Sequence, residues 1–565
     1  MISVLATNIT SPLGFTTEQN YRAVRSGVSA LRRYEGLWGV PEPFTASLFS
    51  EEQRAALATP GYTFFEAIAI RSVREALSRV AFDLASPRVI FILSTTKGNI
   101  GQSPTLAAQR IAEAVGITTK PIVVCNACVS GLSAQLLADR LLSAGFYDYA
   151  IVVGAEQQSK FIVSGFQALK AVSAEPCRPF DIERNGLNPG EAAATIVFEA
   201  QAEERSSDWH LVQGAVCNDA YHTVSPSPKA EGCARAIEQA MAGRDKSRLA
   251  TVCVHGTATL FNDQMESVAI QKTGLSGIPL SALKGYFGHT MGAAGVLETI
   301  MTMCATDDGV VLPSKGFAEV GVSGKVSISG GARQTNGTSF LKLLSGFGGC
   351  NVAALYTKDT SIRFKGSNCQ FKKTHTVRIS SGDGKLPADI YKQQIGDYPK
   401  IYKMDILSRL AFVTAELLKR QGAGGVREAP ETSGLPPEAS AEDQQERKKE
   451  QEMLNTSIIL FNHSSSIVAD RQFLSTINDV ENFFPSPSVF VYTLPNIAAG
   501  EIAIRHHVTG ETSFYILPQK DEALMQKIME ATLNATGAKS VVSGWVDAES
   551  DTSFECELSD YVLSE

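Results

Sequence analysis

No apolar run in this 565-residue chain approaches the ~18 residues needed to cross a bilayer, so no membrane-spanning helix is expected. The opening MISVLATNITSPLG lacks both a basic leader and a cleavage motif, and so does not read as a signal peptide. Basic residues are not in excess: 51 Lys and Arg face 59 Asp and Glu, a net charge of −8. That balance argues against general nucleic-acid binding. Ten cysteines are scattered without framework spacing, which points to reduced thiols and a cytoplasmic location. Histidine is scarce too, with eight in all, so each one in a suggestive setting carries weight. What remains is an ordinary globular composition, 44% hydrophobic and 19% charged, long enough for two or three domains.

Residues 1–357 alternate strand-like and helix-like segments. RVIFIL (88–93), PIVVC (121–125), YAIVVG (149–154), AATIVFE (193–199) and KVSISG (325–330) read as strands. FFEAIAIRSVREALSRV (64–80) reads as an amphipathic helix. The alternation predicts an α/β domain with helices layered on sheets. A second segment runs from 361 to 565. Within it, residues 422–452 are rich in Gly, Pro, Glu and Lys and have almost no large apolar residues. Such a stretch cannot offset its ordering entropy and is expected to be a disordered loop. The rest of the second segment repeats part of the first. MDILSRLAFVTAELLKR (404–420) echoes 64–80, and SIILFNHSSS (457–466) echoes VIFILSTTKG (89–98). Residues 489–516 parallel 122–153, and this alignment sets Gly500 on Gly131 and Ile497 on Cys128.

Four motifs could carry chemistry. In VVCNACVSGLSA (123–134) a strand ends at Cys125 and a helix follows Cys128. The free N–H groups and dipole of a helix start favour a thiolate there. A buried structural cysteine, a CxxC redox pair and half a zinc site are the competing readings, and no second CxxC or CxxH follows. In VHGTATLFNDQMES (254–267), His255 ends a short apolar strand, with Thr257 and Thr259 beyond it. In SALKGYFGHTMGAAGVLET (281–299), Lys284 and His289 flank a glycine-containing turn, and GAAG opens a helix. A single histidine so placed is more often structural; two of them downstream of a helix-cap cysteine shift the balance. In LLSGFGGCN (343–351), Gly346, Gly348 and Gly349 permit a tight loop able to aim N–H groups at an oxyanion, or simply a turn.

Taken together and in this order, the four motifs resemble the β-ketoacyl-acyl carrier protein synthases of the thiolase superfamily. ITSPLG (9–14), STTKGN (94–99), VVGAE (152–156) and PFDIERNGLNPGEAAATIVFE (179–199) add to the likeness, which covers residues 1 to about 357. The resemblance implies a five-layered α-β-α-β-α fold. It also implies an acyltransferase performing decarboxylative Claisen condensation, in fatty acid, polyene or polyketide synthesis, on substrates carried by acyl carrier protein. Cys128 matches the nucleophile, and His255 and His289 the pair that promotes decarboxylation of malonyl thioester. Lys284 matches the supporting lysine and Glu298 the ordering acid. The N–H groups of Cys128 and Phe347 match the oxyanion hole. Ser345, Gly346, Gly348, Gly349, Thr257 and Thr259 are the expected substrate-binding positions. The family needs no metal and no cofactor beyond the phosphopantetheine arm that its carrier protein brings.

The segment 361–565 resembles the amino-terminal half of the same fold. YPKIYKMDILSRLAFVTAELL (398–418) is especially similar to short ketosynthase-like partners found beside synthases in bacterial polyene and arylpolyene clusters. With Ile497 on the nucleophile position, it is expected to be non-catalytic and to act as a pseudo-dimer partner. His506 and His507 are expected on a helix, facing solvent. Two departures touch the acyl pocket. The interval between STTKGN and NACVSG is short, and Ser345 stands where many members carry a bulky gating aromatic. The alternatives are a thiolase or initiating synthase using coenzyme A esters, with Cys350 as a second thiol, and a silent scaffold that binds carrier protein.

Overall fold

The computed structural model describes residues 2–200, 208–359, 370–422, 456–479 and 483–564. Nearly all of the segment expected to be a disordered loop, 422–452, lies outside the described residues. In the first 357 residues the main strands are β1 (Ile2–Thr10), β2 (Val89–Ser94), β3 (Ile122–Val124), β4 (Tyr149–Glu156), β5 (Ala192–Ala200), β6 (His210–Asn218), β7 (Leu249–Cys253), β8 (Pro279–Ser281), β9 (Ser327–Ile328), β10 (Ser339–Gly346) and β11 (Cys350–Thr357). The helices that matter here are α1 (Phe64–Leu77), α2 (Pro104–Ala114), α3 (Ser130–Ser143), α4 (Lys160–Ala168), α5 (Glu231–Ala240), α6 (Leu260–Lys272) and α7 (Ala294–Asp307).

Two sheets form, ordered β3-β2-β4-β5-β1 and β6-β11-β10-β7-β8-β9. They join only at a corner, where Ile2 and Ser3 of β1 pair with Leu211 and His210 of β6. Helices α3 and α7 touch strands of both sheets and so form the layer between them. Nearly every residue of each is buried, as befits a central helix, with polar side chains such as Gln135 and Arg140 buried among the apolar ones of α3. Helix α1 covers the outer face of the first sheet and α5 that of the second. This is the five-layered thiolase-like α-β-α-β-α arrangement.

Close approach of the two central helices requires glycine. A Cβ on Gly131 would lie 2.8 Å from the Gly292 carbonyl oxygen, and one on Gly295 would lie 2.4 Å from the Leu132 nitrogen. The small residues of VSGLSA and MGAAG are thus the two surfaces of one contact.

Beyond residue 357 come β12 (Phe371–Ser380), α8 (Ile406–Gly422), β13 (Thr456–Asn462), α9 (Ile467–Ser475), α10 (Pro487–Tyr492), α11 (Ile497–His506), β14 (Thr512–Ile516), α12 (Glu522–Thr536), β15 (Ser540–Ser550) and β16 (Ser553–Leu563). These strands extend the first sheet in the order β14-β13-β15-β16-β12. The seam is antiparallel, with Tyr515 opposite Val124 and Ile516 opposite Val123. Outward from that seam, the order and sense of β14-β13-β15-β16-β12 mirror β3-β2-β4-β5-β1. The C-terminal segment therefore repeats β1–β5 about a local two-fold axis.

That symmetry corrects one alignment. The partner of β3 is β14, so the partner of α3 is α12 and not α11. Counting four residues past each strand sets Lys520, not Ile497, where Cys128 stands. The sequence match slipped by one strand–helix unit because three helices, α9 to α11, separate β13 from β14 where α2 alone separates β2 from β3. A second correction concerns the histidines. His506 is largely buried, with its ring nitrogen 3.0 Å from Glu416, and only His507 is exposed, just past the end of α11.

Buried polar pairs fasten the seam. Arg140 of α3 holds both carboxylate oxygens of Glu511 at 2.7 Å, and Lys97 lies 2.6 Å from Asp470. Among the described residues no helix is long and apolar enough to cross a membrane.

Candidate active site

The chain leaves β3 at Val124, turns through a single 3₁₀ turn, Ala127–Val129, and enters α3 at Ser130. Ala127 has φ +48°, a left-handed conformation that a non-glycine residue adopts only where the surroundings enforce it. The enforcing bonds are visible. The Asn126 N–H donates to Ser130 Oγ at 2.8 Å, and that hydroxyl donates to the Ala127 carbonyl at 2.6 Å. From across the seam the Phe514 N–H donates to Asn126 Oδ1 at 2.7 Å. Cys128 is carried at the crest of this turn, 8% exposed.

His255 follows β7, and His289 sits in the turn before α7. Their rings meet edge to face with centroids 5.1 Å apart. The Cys128 sulfur and one ring nitrogen from each histidine all lie within 4.8 Å of one another. The Met291 N–H donates to His289 Nδ1 at 3.3 Å, which puts the imidazole proton on Nε2. Among the described residues, His289 Nε2 and His255 Nδ1 are buried and have no hydrogen-bond partner. A buried donor without an acceptor costs free energy, about 1–3 kcal/mol, so these atoms are poised for a ligand.

Behind the histidines lies a charged cluster. Lys284 donates to the His255 carbonyl at 2.5 Å and to Glu298 Oε1 at 2.8 Å. Lys342, from β10, donates to Glu298 Oε2 at 2.6 Å. Glu266, from α6, accepts the N–H groups of His255 and Gly256 at 2.7 and 2.8 Å. All four side chains are buried. Burial alone would raise Glu298, but the two lysines outweigh it and hold the carboxyl below the usual range. Burial, reinforced by Lys284, pushes both imidazoles well below their ordinary value, so both are neutral near pH 7. Burial also pushes the Cys128 thiol up to about 12, against the opposing pull of Lys284 and of its own N–H. Desolvation by burial is the larger effect at Cys128, despite its place at a helix start.

A cavity of about 290 Å³ opens onto Cys128, His255 and His289. Ser345, Gly346, Phe347 and Gly349 form one wall, and Thr257 and Thr259, bonded to each other at 2.8 Å, form another. The β10 end comes close to the cysteine: a Cβ on Gly346 would lie 3.3 Å from the Cys128 nitrogen. Lys284 and Glu298 stand behind this lining. Gly348 departs from its expected place in the substrate wall. It faces the C-terminal segment, where a Cβ on it would lie 2.8 Å from Asn496 Nδ2. Cys350 points away as well, its sulfur 3.0 Å from Thr512 Oγ1. Lys342, Glu266 and Glu156, which accepts the Thr96 and Gly292 N–H groups at 3.0 Å, escaped sequence reasoning. Glu156 and Glu266 stood inside the quoted motifs VVGAE and VHGTATLFNDQMES without a role assigned, and Lys342 stood just outside LLSGFGGCN as the single charge in the buried strand SFLKLLSG.

A smaller space on the other side of Cys128 is bordered by Thr96, Lys97, Ile162, Phe166 and Phe347, and by Phe490 and Leu494 from the C-terminal segment. Aromatic rings close it. Phe490 lies 5.3 Å from Phe166 and 5.2 Å from Phe473, and Phe473 lies 4.9 Å from Phe161.

Comparison with known proteins bears on this geometry. Residues 88–204 match the family profile described as "Beta-ketoacyl synthase, N-terminal domain", and residues 210–318 match its C-terminal domain. The chain is 32% identical over 253 residues to 3-oxoacyl-[acyl-carrier-protein] synthase 2 of Mycobacterium leprae, covering 41% of this chain and 59% of that protein. It is 31% identical over 278 residues to the tetracenomycin polyketide synthase ketoacyl synthase alpha subunit of Streptomyces glaucescens, covering 46% and 65%. These matches therefore span less than two thirds of either relative. Among solved structures, a β-ketoacyl synthase from Burkholderia phymatum superposes with TM-score 0.58 at 24% identity, over 64% of this chain and 99% of that one. A structure titled "PfaC Keto synthase-Chain length factor" superposes with TM-score 0.73 at 13% identity, over 100% of this chain and 78% of that one.

Proposed function

We propose, from the premise that this chain belongs to the β-ketoacyl synthase family, that it elongates an acyl chain by decarboxylative condensation. The observation that carries the reading is the convergence of one thiol and two neutral imidazoles, within 4.8 Å, on one cavity. In the first step the Cys128 sulfur attacks an acyl thioester, and the carrier's thiol leaves with a proton. The N–H groups of Cys128 and Phe347 receive the oxyanion. Each such donor, if preorganised, contributes about 2.7–4 kcal/mol. In the second step a malonyl thioester loses carbon dioxide. Its carbonyl oxygen becomes an enolate oxygen and takes a hydrogen bond from His289 Nε2, whose tautomer the Met291 N–H has set. Lys284 and Glu298 hold the His255 strand end in register. The enolate carbon then attacks the acyl-Cys128 carbonyl, the sulfur departs, and the product is a β-ketoacyl thioester two carbons longer.

The partner in this scheme is an acyl carrier protein, which brings the phosphopantetheine thiol; no cofactor of the chain's own takes part. A thiolase-type mechanism with a second thiol is disfavoured by Cys350, which bonds Thr512 and does not line the cavity. A silent scaffold is disfavoured by the intact constellation. The C-terminal segment, in this reading, takes the place of a partner subunit and does no chemistry itself. Supporting that are the two-fold seam and Lys520 at the nucleophile position. Intact-mass measurement after incubation with acyl carrier proteins bearing different chains tests the whole scheme. One acyl group should appear per chain and disappear in Cys128→Ala. Acylation that persists in that variant would end the proposal.

A further inference from the structure

The C-terminal segment reaches the loop that carries Phe347. Asn496, the residue before α11, is 2% exposed and donates from Nδ2 to the Phe347 carbonyl at 2.8 Å. One turn on, Gly500 packs directly on Gly348, and a Cβ there would lie 2.9 Å from both the Gly348 Cα and its carbonyl oxygen. A third contact works through Asn218. The Thr509 carbonyl accepts the Asn218 N–H at 3.1 Å, and Thr512 Oγ1 lies 2.9 Å from Asn218 Nδ2. That same Nδ2 donates to the Gly348 carbonyl at 2.8 Å. On its other sides the loop is held by the Gly348 N–H donating to the Thr223 carbonyl at 2.7 Å and by the Gly349 carbonyl, which accepts the Asp219 N–H at 2.8 Å and Asn351 Nδ2 at 3.1 Å. Gly348 and Gly349 have φ of +86° and +76°, so the loop has little side-chain bulk of its own to fix it.

We infer that Asn496 is a positioning residue for acyl transfer, acting across the seam by fixing the peptide groups on either side of Phe347 in the geometry that receives the thioester oxyanion. The inference rests on the proposed condensation reading. It assigns the C-terminal segment a part in the acyl-transfer step and none in decarboxylation. A hydrogen-bond donor is effective only if its direction is set before charge develops, and a shift of the 347 loop lengthens the donor distance at the oxygen. His255 and His289 sit on other elements, and among the described residues no hydrogen bond joins either to Asn496, so release of carbon dioxide should not sense its loss.

The experiment uses the full-length chain with Asn496→Ala and, independently, Gly500→Ala, whose added methyl pushes on Gly348. Two rates are read on each variant: acylation of Cys128 by an acyl carrier protein thioester, by intact mass, and carbon dioxide release from malonyl carrier protein. Acylation should slow about 10- to 100-fold while carbon dioxide release stays within about twofold. Asn496→Asp, which keeps the shape but loses the donor, should behave like the alanine variant. Unchanged acylation in Asn496→Ala and Gly500→Ala would overturn the inference, and so would parallel loss of both rates, the mark of general misfolding. Failure of the unaltered chain to acylate at all would instead overturn the condensation reading on which this one stands.

Discussion

Cys128 shows how far a single residue can be read from its neighbours in sequence. A cysteine between an apolar strand and a small-residue helix was recognisable as a nucleophile candidate. What could not be read was the depth of burial, which raises the thiol to about 12 and outweighs the helix. Lys342 is a parallel case. Its partner Glu298 lies 44 residues away, and nothing local says that a lysine inside an apolar strand will meet a carboxylate on a central helix. A pH prediction follows from these environments. The histidines are held well below 6.5 by burial and Lys284, so they stay neutral as pH falls through 6.5 and protonate only further down. Carbon dioxide release from malonyl carrier protein should therefore show no acidic limb near pH 6.5. Alkylation of Cys128 by iodoacetamide, in contrast, should keep rising with pH through 9 and 10, following a thiol near 12. A plateau reached by pH 8 would mean that the helix start and Lys284 prevail over desolvation.

At the scale of elements, α1 and α8 were legible because their apolar positions recur at helical spacing above a sheet. Strands β2, β4 and β13 were legible as apolar runs. The pairing of α11 with α3 was misread for a physical reason. Both helices begin with small residues, IAAGE and SGLSA, because both must approach another backbone closely. Gly131 meets Gly295 and Gly292, whereas Gly500 meets Gly348. Sequence records the need for a small residue and not the identity of what lies opposite. The same holds for α4 and α10. Gly165 reads as an ordinary helix glycine, yet a Cβ on it would fall 2.1 Å from the Phe490 ring. That ring, with Phe473, closes the space beside Cys128. Phe490→Ala should cost about 3–5 kcal/mol in a urea melt, since the ring is buried among Phe161, Phe166 and Phe473. It should also let Cys128 accept longer acyl chains, read as a shift in the intact-mass preference. A stability loss with no change in chain preference would place the acyl path elsewhere.

For the whole molecule the decisive feature is the seam, where one chain supplies both sides of a two-fold sheet junction. Without β14, the strand β3 would be the edge of its sheet, with unpaired backbone groups and buried apolar side chains turned to solvent. Here β14 covers it, so the chain carries its own partner and has no need of a second copy on that face. The polar pairs across the seam do not by themselves show that it is strong. Burying Arg140 and Glu511 together roughly balances desolvation against attraction. Their value is in register: the observed pairing of β14 with β3 brings Glu511, just before β14, onto Arg140 of α3. Removing residues 361–565 would return Arg140 to water, so the cost would not come from a stranded charge. It would come from the bare edge of β3 and from the apolar residues Phe161, Phe166 and Ile162 now facing solvent. The truncated chain should therefore self-associate in sedimentation experiments, either as a dimer through antiparallel β3 strands or as aggregate. The full-length chain should stay monomeric at the same concentration. A truncated monomer that acylates Cys128 at the full rate would show that the C-terminal segment is dispensable to both fold and site.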